Sequence, residues 1–357
     1  MNIAVVGGGI NGLTCAWELA KVGHKVTLFE RDGLMQATSK SSSKLLHGGL
    51  RYLENGEIRL VIEALSERDR WFKRAPHLAK PLPMIYPIYS NGRRSRWVVA
   101  TGVWLYKLLS IRSDLPSPKW MKKDEIVTRQ PQLKTQDLIG GYKFYDGQMD
   151  DYNLGMWVAE QCKISGITIL ENTEVKTINI DGTLKTSGSE VYQFDNIINI
   201  AGPWAAKLLQ QSGIGSPVEL DLVRGSHLVI SKECDQAYIL EVPYERRIFF
   251  VLPWRGKTLV GTTEIRQQLN EPIECSKAET QYLINAYNHW MLEQISEADI
   301  ESTFSGVRPL LRSSDDPSRV TREYAILKEG KLINVFGGKW TTSCALATKI
   351  LKTATKN

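Results

Sequence analysis

"NIAVVGGGINGLTCAWELAKVGHKVTLFERD", Asn2–Asp32, reads as strand, turn, helix and second strand in one stretch. Ile3–Val6 is a short apolar run of the kind that forms a buried strand. Gly7, Gly9 and Gly12 follow in G-x-G-x-x-G spacing, Leu13–Val22 continues as a helix that Gly23 closes, and Lys25–Phe29 is a second strand ending at Glu30. The spacing has a mechanical reason. The first glycine makes the tight turn, the second admits a pyrophosphate to the backbone, and the third lets helix and strand pack closely. The N–H groups of the helix N-terminus face the phosphates. A carboxylate at Glu30, 18 residues past Gly12, accepts from a ribose 2′-OH and disfavours a 2′-phosphate. A lone glycine motif is weak, and its alternative is a glycine turn that binds nothing. Here every neighbouring part is in order, and the reading is a dinucleotide site.

The rest of the chain bounds that reading. Its 357 residues, 42% hydrophobic and 24% charged, are enough for one large core or two smaller ones. Five scattered cysteines with no C-x-x-C pair argue against a disulfide framework or structural zinc, and no metal-ligand spacing joins the five histidines. The N-terminus reads as strand rather than secretion signal, and no apolar run reaches the roughly 18 residues of a membrane span. These features predict a cytoplasmic protein with reduced thiols. The net charge is +6, but Lys73–Arg129 alone carries 12 Lys and Arg against 3 Asp and Glu, a net of +9, leaving −3 elsewhere. Charge so confined argues against a general nucleic-acid coat.

After Glu30 the chain does not continue the alternation of a nicotinamide enzyme. It enters a serine-rich segment and then a helical run, Glu57–Lys73. Strand, glycine and helix recur twice later, in "FDNIINIAGPWAAKLL" (Phe194–Leu209) and "KLINVFGGKWTTSCALATKIL" (Lys331–Leu351). Either alone is an ordinary βα turn. Three such units can aim helix N-termini at one elongated ligand, which points to FAD.

The segment "ATSKSSSKLLHGGLRYLE", Ala37–Glu54, closely resembles the signature of FAD-dependent glycerol-3-phosphate dehydrogenases and oxidases, flavoenzymes similar to D-amino-acid oxidase. "GGGINGL", "NIAGPWA", "RGSHLVI" (Arg224–Ile230), "LVGTTE" (Leu259–Glu264), "SGVRPL" (Ser305–Leu310), "VTREYAI" (Val320–Ile326) and "VFGGKWTT" (Val335–Thr342) resemble that family in order along nearly the whole chain. The resemblance implies an α/β (α+β) fold. A Rossmann-like FAD-binding domain, over 1–75, 145–215 and 300–357, is interleaved with a substrate domain on a mainly antiparallel sheet, over 76–144 and 216–299. The sequence supports the second part independently. Ala237–Val242, Arg247–Pro253 and Thr258–Glu264 read as a meander with a hairpin turn at "WRGK", and Ser276 with Glu279 forms a capping box before a helix from about Lys277. The family's bacterial dehydrogenases commonly carry a further C-terminal helical domain, whereas this sequence stops at Asn357. Lys40 also departs from the family, standing where a small residue is usual.

The resemblance further implies which residues meet the cofactor. At the first unit these are Gly7, Gly9, Gly12, Glu30 and Arg31. In the serine-rich segment they are Thr38, Ser39, Ser42, Ser43, Leu46, His47 and Gly48. Later in the chain they are Val175, Ala201, Gly202 and Trp204, then Gly337, Gly338, Thr341 and Thr342. The expected reaction is oxidation of sn-glycerol 3-phosphate to dihydroxyacetone phosphate, with hydride passing to flavin N5 and electrons on to quinone or oxygen. His227 is the candidate base, since an imidazole titrates near working pH; the alternative is a hydrogen-bonded core histidine. Arg51 and Arg322 are assigned to the phosphate, Arg308 to the alcohol oxygen, Tyr52 to a substrate hydrogen bond, and Thr262 or Thr263 to the pocket wall. Lys339, placed at the start of the terminal helix, would favour a reduced anionic ring.

"RRSRWVVATGVWLYKLLSIR", Arg93–Arg112, is apolar between basic ends. It reads equally as an interfacial segment on the inner face of the cytoplasmic membrane or as a buried helix with solvated ends. The resemblance allows membrane and quinone as partners. Two rivals stand beside this reading: a sibling flavoenzyme oxidising an amino or 2-hydroxy acid, and a non-catalytic flavin-binding or membrane-docking protein.

Overall fold

The computed structural model describes residues 1–54, 56–110, 113–129, 132–188, 190–312 and 324–356. Its first layer is a six-stranded sheet in the order Tyr324–Glu329, Leu332–Gly337, Asn196–Asn199, Asn2–Val6, Lys25–Phe29 and Thr168–Leu170. All neighbours are parallel except the first pair, an antiparallel edge. The strands are short and apolar because both faces are covered. Helices Ile10–Lys21, Asp151–Ile164 and Ser343–Thr355 bury Leu13, Val158 and Ile350 against Ile3, Val5 and Leu28. The first helix lies this close because a Cβ on Gly12 would sit 1.8 Å from the Gly7 carbonyl oxygen, so no larger residue fits.

The second layer is a larger, mostly antiparallel sheet. Its central strands include Leu220–Ile230, Lys257–Gly261, Ile248–Trp254, Ala237–Glu241, Ala79–Tyr89 and Leu138–Met149, with Ile300–Leu311 paired along the first of them. The expected meander is present. Its turn, Arg255–Gly256, has φ of 52° and 72°, the left-handed geometry of a two-residue hairpin. Helix Lys277–Trp290 closes this sheet's far side, burying Leu283 and Tyr287 with Leu228, Tyr238 and Phe249. Helix Arg96–Leu109 covers the other face through Val99, Val103 and Tyr106.

The segment Ser39–Glu54 runs between the sheets. Leu45–Leu46 adds a two-residue strand to the larger sheet, and Trp340 Nε1 donates to the Ser39 carbonyl at 3.0 Å. Strand Ile300–Leu311 touches the same segment. Val307 O accepts from Thr38 Oγ1 at 2.8 Å, and a Cβ on Gly306 would lie 2.9 Å from Ser41 Cβ.

Glu279 ties the Lys277–Trp290 helix to the sheet. It completes the capping box with Ser276, pairs with Arg224 at 2.7 Å, and accepts from Ser226 Oγ and Thr263 Oγ1 at 2.7 and 2.6 Å. Burial alone would raise its pKa, but hydrogen bonds from Thr263, Ser226, Ser276 and Arg224 outweigh it and lower the pKa from 4.5 to about 2. A carboxylate depressed in the fold stabilises it above the unfolded value, and that contribution fades as pH falls from 4.5 toward 2. Glu279→Gln should therefore cost on the order of 3 kcal/mol at neutral pH, since it leaves Arg224 without its charge partner. The variant should also lose less stability than the wild type between pH 5 and 2, as measured by urea unfolding across that range.

Candidate active site

One continuous cavity of about 800 Å³ reaches from the Gly7–Gly12 turn to the inner face of the larger sheet. Its first end is built from helix termini. Gly7 has φ of 122°, Gly9 caps the Ile10–Lys21 helix, and no acidic side chain occupies the first turn. A Cβ on Gly9 would lie 2.9 Å from Ser39 Oγ, which accepts from the Ile10 N–H at 3.0 Å. Glu30 Oε2 accepts from the Gly8 N–H at 2.6 Å and Oε1 from the Asp32 N–H at 3.0 Å, so its carboxylate is fixed at the cavity edge. Arg31 lies over the Trp204 ring, 4.9 Å from its centroid. Asn11 Oδ1 is buried against this cavity with no hydrogen-bond partner among the described residues. The tight glycine turn, dipole-positive helix end, fixed carboxylate and orphaned acceptor suit the diphosphate and ribose of FAD.

The cavity collects most of the residues expected from the sequence. Thr38, Ser39, Ser42, Ser43 and His47 line it from the serine-rich segment, Val175, Ala201, Gly202 and Trp204 from the middle, and Gly337, Gly338 and Thr341 from the end. Leu46, Gly48 and Thr342 stand behind the wall. Leu46 is core, Gly48 donates its N–H to Tyr106 Oη at 2.6 Å, and Thr342 caps the terminal helix. That helix begins at Ser343, so Lys339 sits in the preceding turn rather than in the helix. Gly337 and Gly338, with φ of 77° and 95°, break the strand before a helix can start.

Two buried networks hold the lining in place. Asp151, itself buried, accepts from the Ser42 N–H and Oγ at 3.0 and 2.7 Å and from Lys44 Nζ at 2.7 Å. Lys44 Nζ also donates to the Lys40 carbonyl and lies 4.6 Å from the Phe304 ring centroid. The second network centres on Asp146. It accepts from Tyr106 Oη at 2.6 Å and Arg68 Nη1 at 3.1 Å, so that helix Arg96–Leu109 supports the His47–Gly49 turn from below. Burial, with Asp146 adjacent, holds the Tyr106 phenol well above its usual pKa, and it stays protonated.

The second end of the cavity is cationic. Lys339 Nζ lies 3.9 Å from the Tyr52 ring centroid, and both line the cavity. Arg308 Nη2 donates to Thr262 Oγ1 at 3.2 Å, and its Nη1 lies 3.8 Å from Glu264 Oε1. Arg247 and Glu264, which the sequence reading did not single out, also line it. Glu264 ends the "LVGTTE" motif and Arg247 directly precedes the meander strand Ile248–Trp254, positions whose sequence carries no sign of their inward direction.

Three expectations need restating. Thr263 does not face the cavity; its hydroxyl is spent on Glu279 and the Ser226 N–H. His227 is not on the wall either. It is 1% exposed, stacked on Phe304 at 4.8 Å between ring centroids, and its Nε2 lies 2.8 Å from Ser43 Oγ. Burial, reinforced by Arg308 and Lys44, holds its pKa well below 6.5, so it is neutral. Arg322 lies outside the described residues. Arg51 lies on the short helix Leu50–Glu54, and its side chain is likewise outside the description.

Comparison with known proteins bears on the family and the fold. The model of the FAD dependent oxidoreductase family matches residues 2–351. Glycerol-3-phosphate dehydrogenase of Pseudomonas aeruginosa is 37% identical over 98% of this chain and 70% of its own length. D-erythritol 1-phosphate dehydrogenase of Brucella abortus is 36% identical over 97% of this chain and 72% of its own. Among solved structures, glycerol-3-phosphate dehydrogenase from Bacillus halodurans complexed with FAD superposes with a TM-score of 0.79 at 22% identity. That likeness covers 99% of this chain and 64% of that one, and it speaks for the fold alone.

Proposed function

The chain belongs to the FAD-dependent oxidoreductase family, and from that premise we propose that it oxidises sn-glycerol 3-phosphate to dihydroxyacetone phosphate. The observation that carries this reading is the joining, in one cavity, of a dinucleotide cradle to a cationic end bearing Arg308, Arg247 and Lys339. Two polyol-phosphate dehydrogenases among the curated relatives support a phosphorylated substrate over an amino or 2-hydroxy acid. The discontinuous path of the chain through both sheets supports dividing it into a cofactor domain and an interleaved substrate domain.

Bound FAD would lie along Gly7–Gly12, Glu30 and the Ser39–Ser43 segment and would accept the hydrogen and electron pair that leave the carbinol carbon. The chain's own residues supply the rest. Arg308 faces the alcohol oxygen as it becomes a carbonyl. Lys339, held over Tyr52, adds positive charge to the same end of the cavity. Arg51 and Arg322 are assigned to the phosphate. The alcohol proton goes to Ser43 Oγ, whose own proton passes to Nε2 of His227 behind it. His227 thus acts from beneath the wall, and its neutral state leaves Nε2 able to accept.

We further assign helix Arg96–Leu109 to an anionic membrane surface. Trp97, Val98, Trp104 and Leu108 are 74%, 54%, 51% and 63% exposed, against only Val99, Val103 and Tyr106 turned inward. Among the described residues no helix is long and apolar enough to cross a membrane, so this attachment is peripheral, and it brings the site near membrane quinone.

Three outcomes are expected. Anaerobic glycerol 3-phosphate should bleach the flavin absorbance of the holoenzyme, and glycerol should not; reduction by an amino or hydroxy acid alone transfers the assignment to that substrate class, and no reduction by any of them supports a binding protein. His227→Ala and Ser43→Ala should each slow that bleaching by about 100-fold or more while retaining FAD, and in the wild type the rate should hold through the ordinary imidazole range and decline only well below pH 6.5. A Ser43→Ala enzyme reduced at the wild-type rate would remove the relay. Replacing Trp97 and Trp104 together by Ala should abolish sedimentation with anionic phospholipid vesicles, with flavin reduction unchanged.

A further inference from the structure

We propose that Arg247 is a substrate-binding residue that takes the phosphate of the substrate. The inference rests on the reading of that substrate as a phosphate ester.

Arg247 is an arginine of the cavity whose orientation is fixed from several sides. Its Nη1 donates to Tyr282 Oη at 3.0 Å, its Nη2 donates to the Thr262 carbonyl at 3.0 Å, and its Nε lies 3.3 Å from Glu264 Oε2. Tyr282 in turn donates to Glu245 Oε2 at 2.8 Å, and that carboxylate lies 3.9 Å from Nη1. A guanidinium has five N–H bonds; two are committed to hydrogen bonds here, and a third, on Nε, faces the Glu264 carboxylate without forming one. One on each terminal nitrogen remains, and a pair of that kind forms the fork that holds a phosphate. The side chain lines the cavity and is only 18% exposed, so the fork acts where water competes little.

The geometry also explains Glu264, a carboxylate in a site for an anion. It stands between two guanidiniums, 3.3 Å from Arg247 and 3.8 Å from Arg308, and both arginines hold Thr262 as well. The carboxylate therefore keeps two like charges together without ligand, and a bound substrate meets Arg247 with its phosphate and Arg308 with its alcohol oxygen, both already in place. A lysine cannot reproduce this. It carries a point charge and cannot hold Tyr282, Thr262 and Glu264 from one planar group. Arg247 also directly precedes strand Ile248–Trp254 of the larger sheet, away from the six-stranded sheet that leads into Gly7–Gly12, which assigns it to the substrate rather than to the cofactor diphosphate.

The test uses the FAD-loaded enzyme with glycerol 3-phosphate and a dye acceptor, comparing wild type with Arg247→Met and Arg247→Lys. Loss of a charge-assisted fork should raise KM roughly 10- to 100-fold in Arg247→Met. It should leave kcat within about threefold, the pattern of a contact made equally before and during reaction. Arg247→Lys should recover part of that loss. The inhibition constant of inorganic phosphate should rise in parallel, with the flavin spectrum and Tm near wild type. Unchanged KM in both variants overturns the proposal, as does a fall confined to kcat with phosphate inhibition intact, which is what a mere brace for Thr262 gives. Failure of the wild type itself to oxidise glycerol 3-phosphate would instead remove the underlying substrate reading.

Discussion

The cavity depends on one buried carboxylate. Asp151 lies in the first turn of a helix that belongs to the six-stranded layer, yet its oxygens hold Ser42 and Lys44 of the segment that runs toward the larger sheet. Burial pushes Asp151 up and Lys44 down, each toward neutrality, and their contact at 2.7 Å opposes both tendencies. Such a pair contributes little net stability when intact and costs several kcal/mol when one member is lost. What it fixes is geometry. With Ser42 tied to Asp151, Ser43 is directed at His227, the backbone of Lys44 is held at φ of 60°, and Leu45–Leu46 can join the larger sheet. The cofactor end and the substrate end share a wall because this loop has one conformation.

The crossing strand Ile300–Leu311 completes the same union from the other side. Ser305 joins the Ser226–Glu279 network, Gly306 lets Ser41 approach, Val307 accepts from Thr38, and Arg308 reaches Thr262. Four consecutive residues thus reach both the larger sheet, through Ser226 and Thr262, and the serine-rich segment, through Ser41 and Thr38. The "SGVRPL" motif carries small residues where backbones meet and an arginine where the cavity opens.

Much of this was legible in the sequence, for reasons that differ by residue. The strand–turn–helix at Asn2–Phe29 is a local pattern that spacing alone reveals, and Gly12 is dictated by a contact within it, although Gly7 and Gly9 are crowded by Ile200 and Ser39 from other parts of the chain. The capping box at Ser276 and Glu279 is local too. Depth was not legible. An alternating strand fixes which side His227 faces, but not that Ser43, from a segment almost two hundred residues away in the chain, would cover it. Thr262 and Thr263 are neighbours pointing opposite ways, one into the cavity and one into the Glu279 network, and either choice fitted the motif. Arg247 carries no local signal, because a lone arginine beside a strand is most often a surface ion pair, and only the tertiary placement of the meander puts it at the cavity. The sequence of Arg93–Arg112 fits burial and exposure equally, and helix Arg96–Leu109 within it does both, with three inward residues and a broad apolar exterior.

Tyr106 carries a demand that no apolar side chain can meet. Its hydroxyl receives a hydrogen from the Gly48 amide and passes its own to Asp146, so a single oxygen mediates between the helix under the cavity and the turn above it. Phenylalanine would fill the same volume and yet strand the Gly48 amide and leave Asp146 with Arg68 but without the hydroxyl, in a water-poor interior. At this point of the helix, chemical identity rather than bulk limits what evolution can substitute.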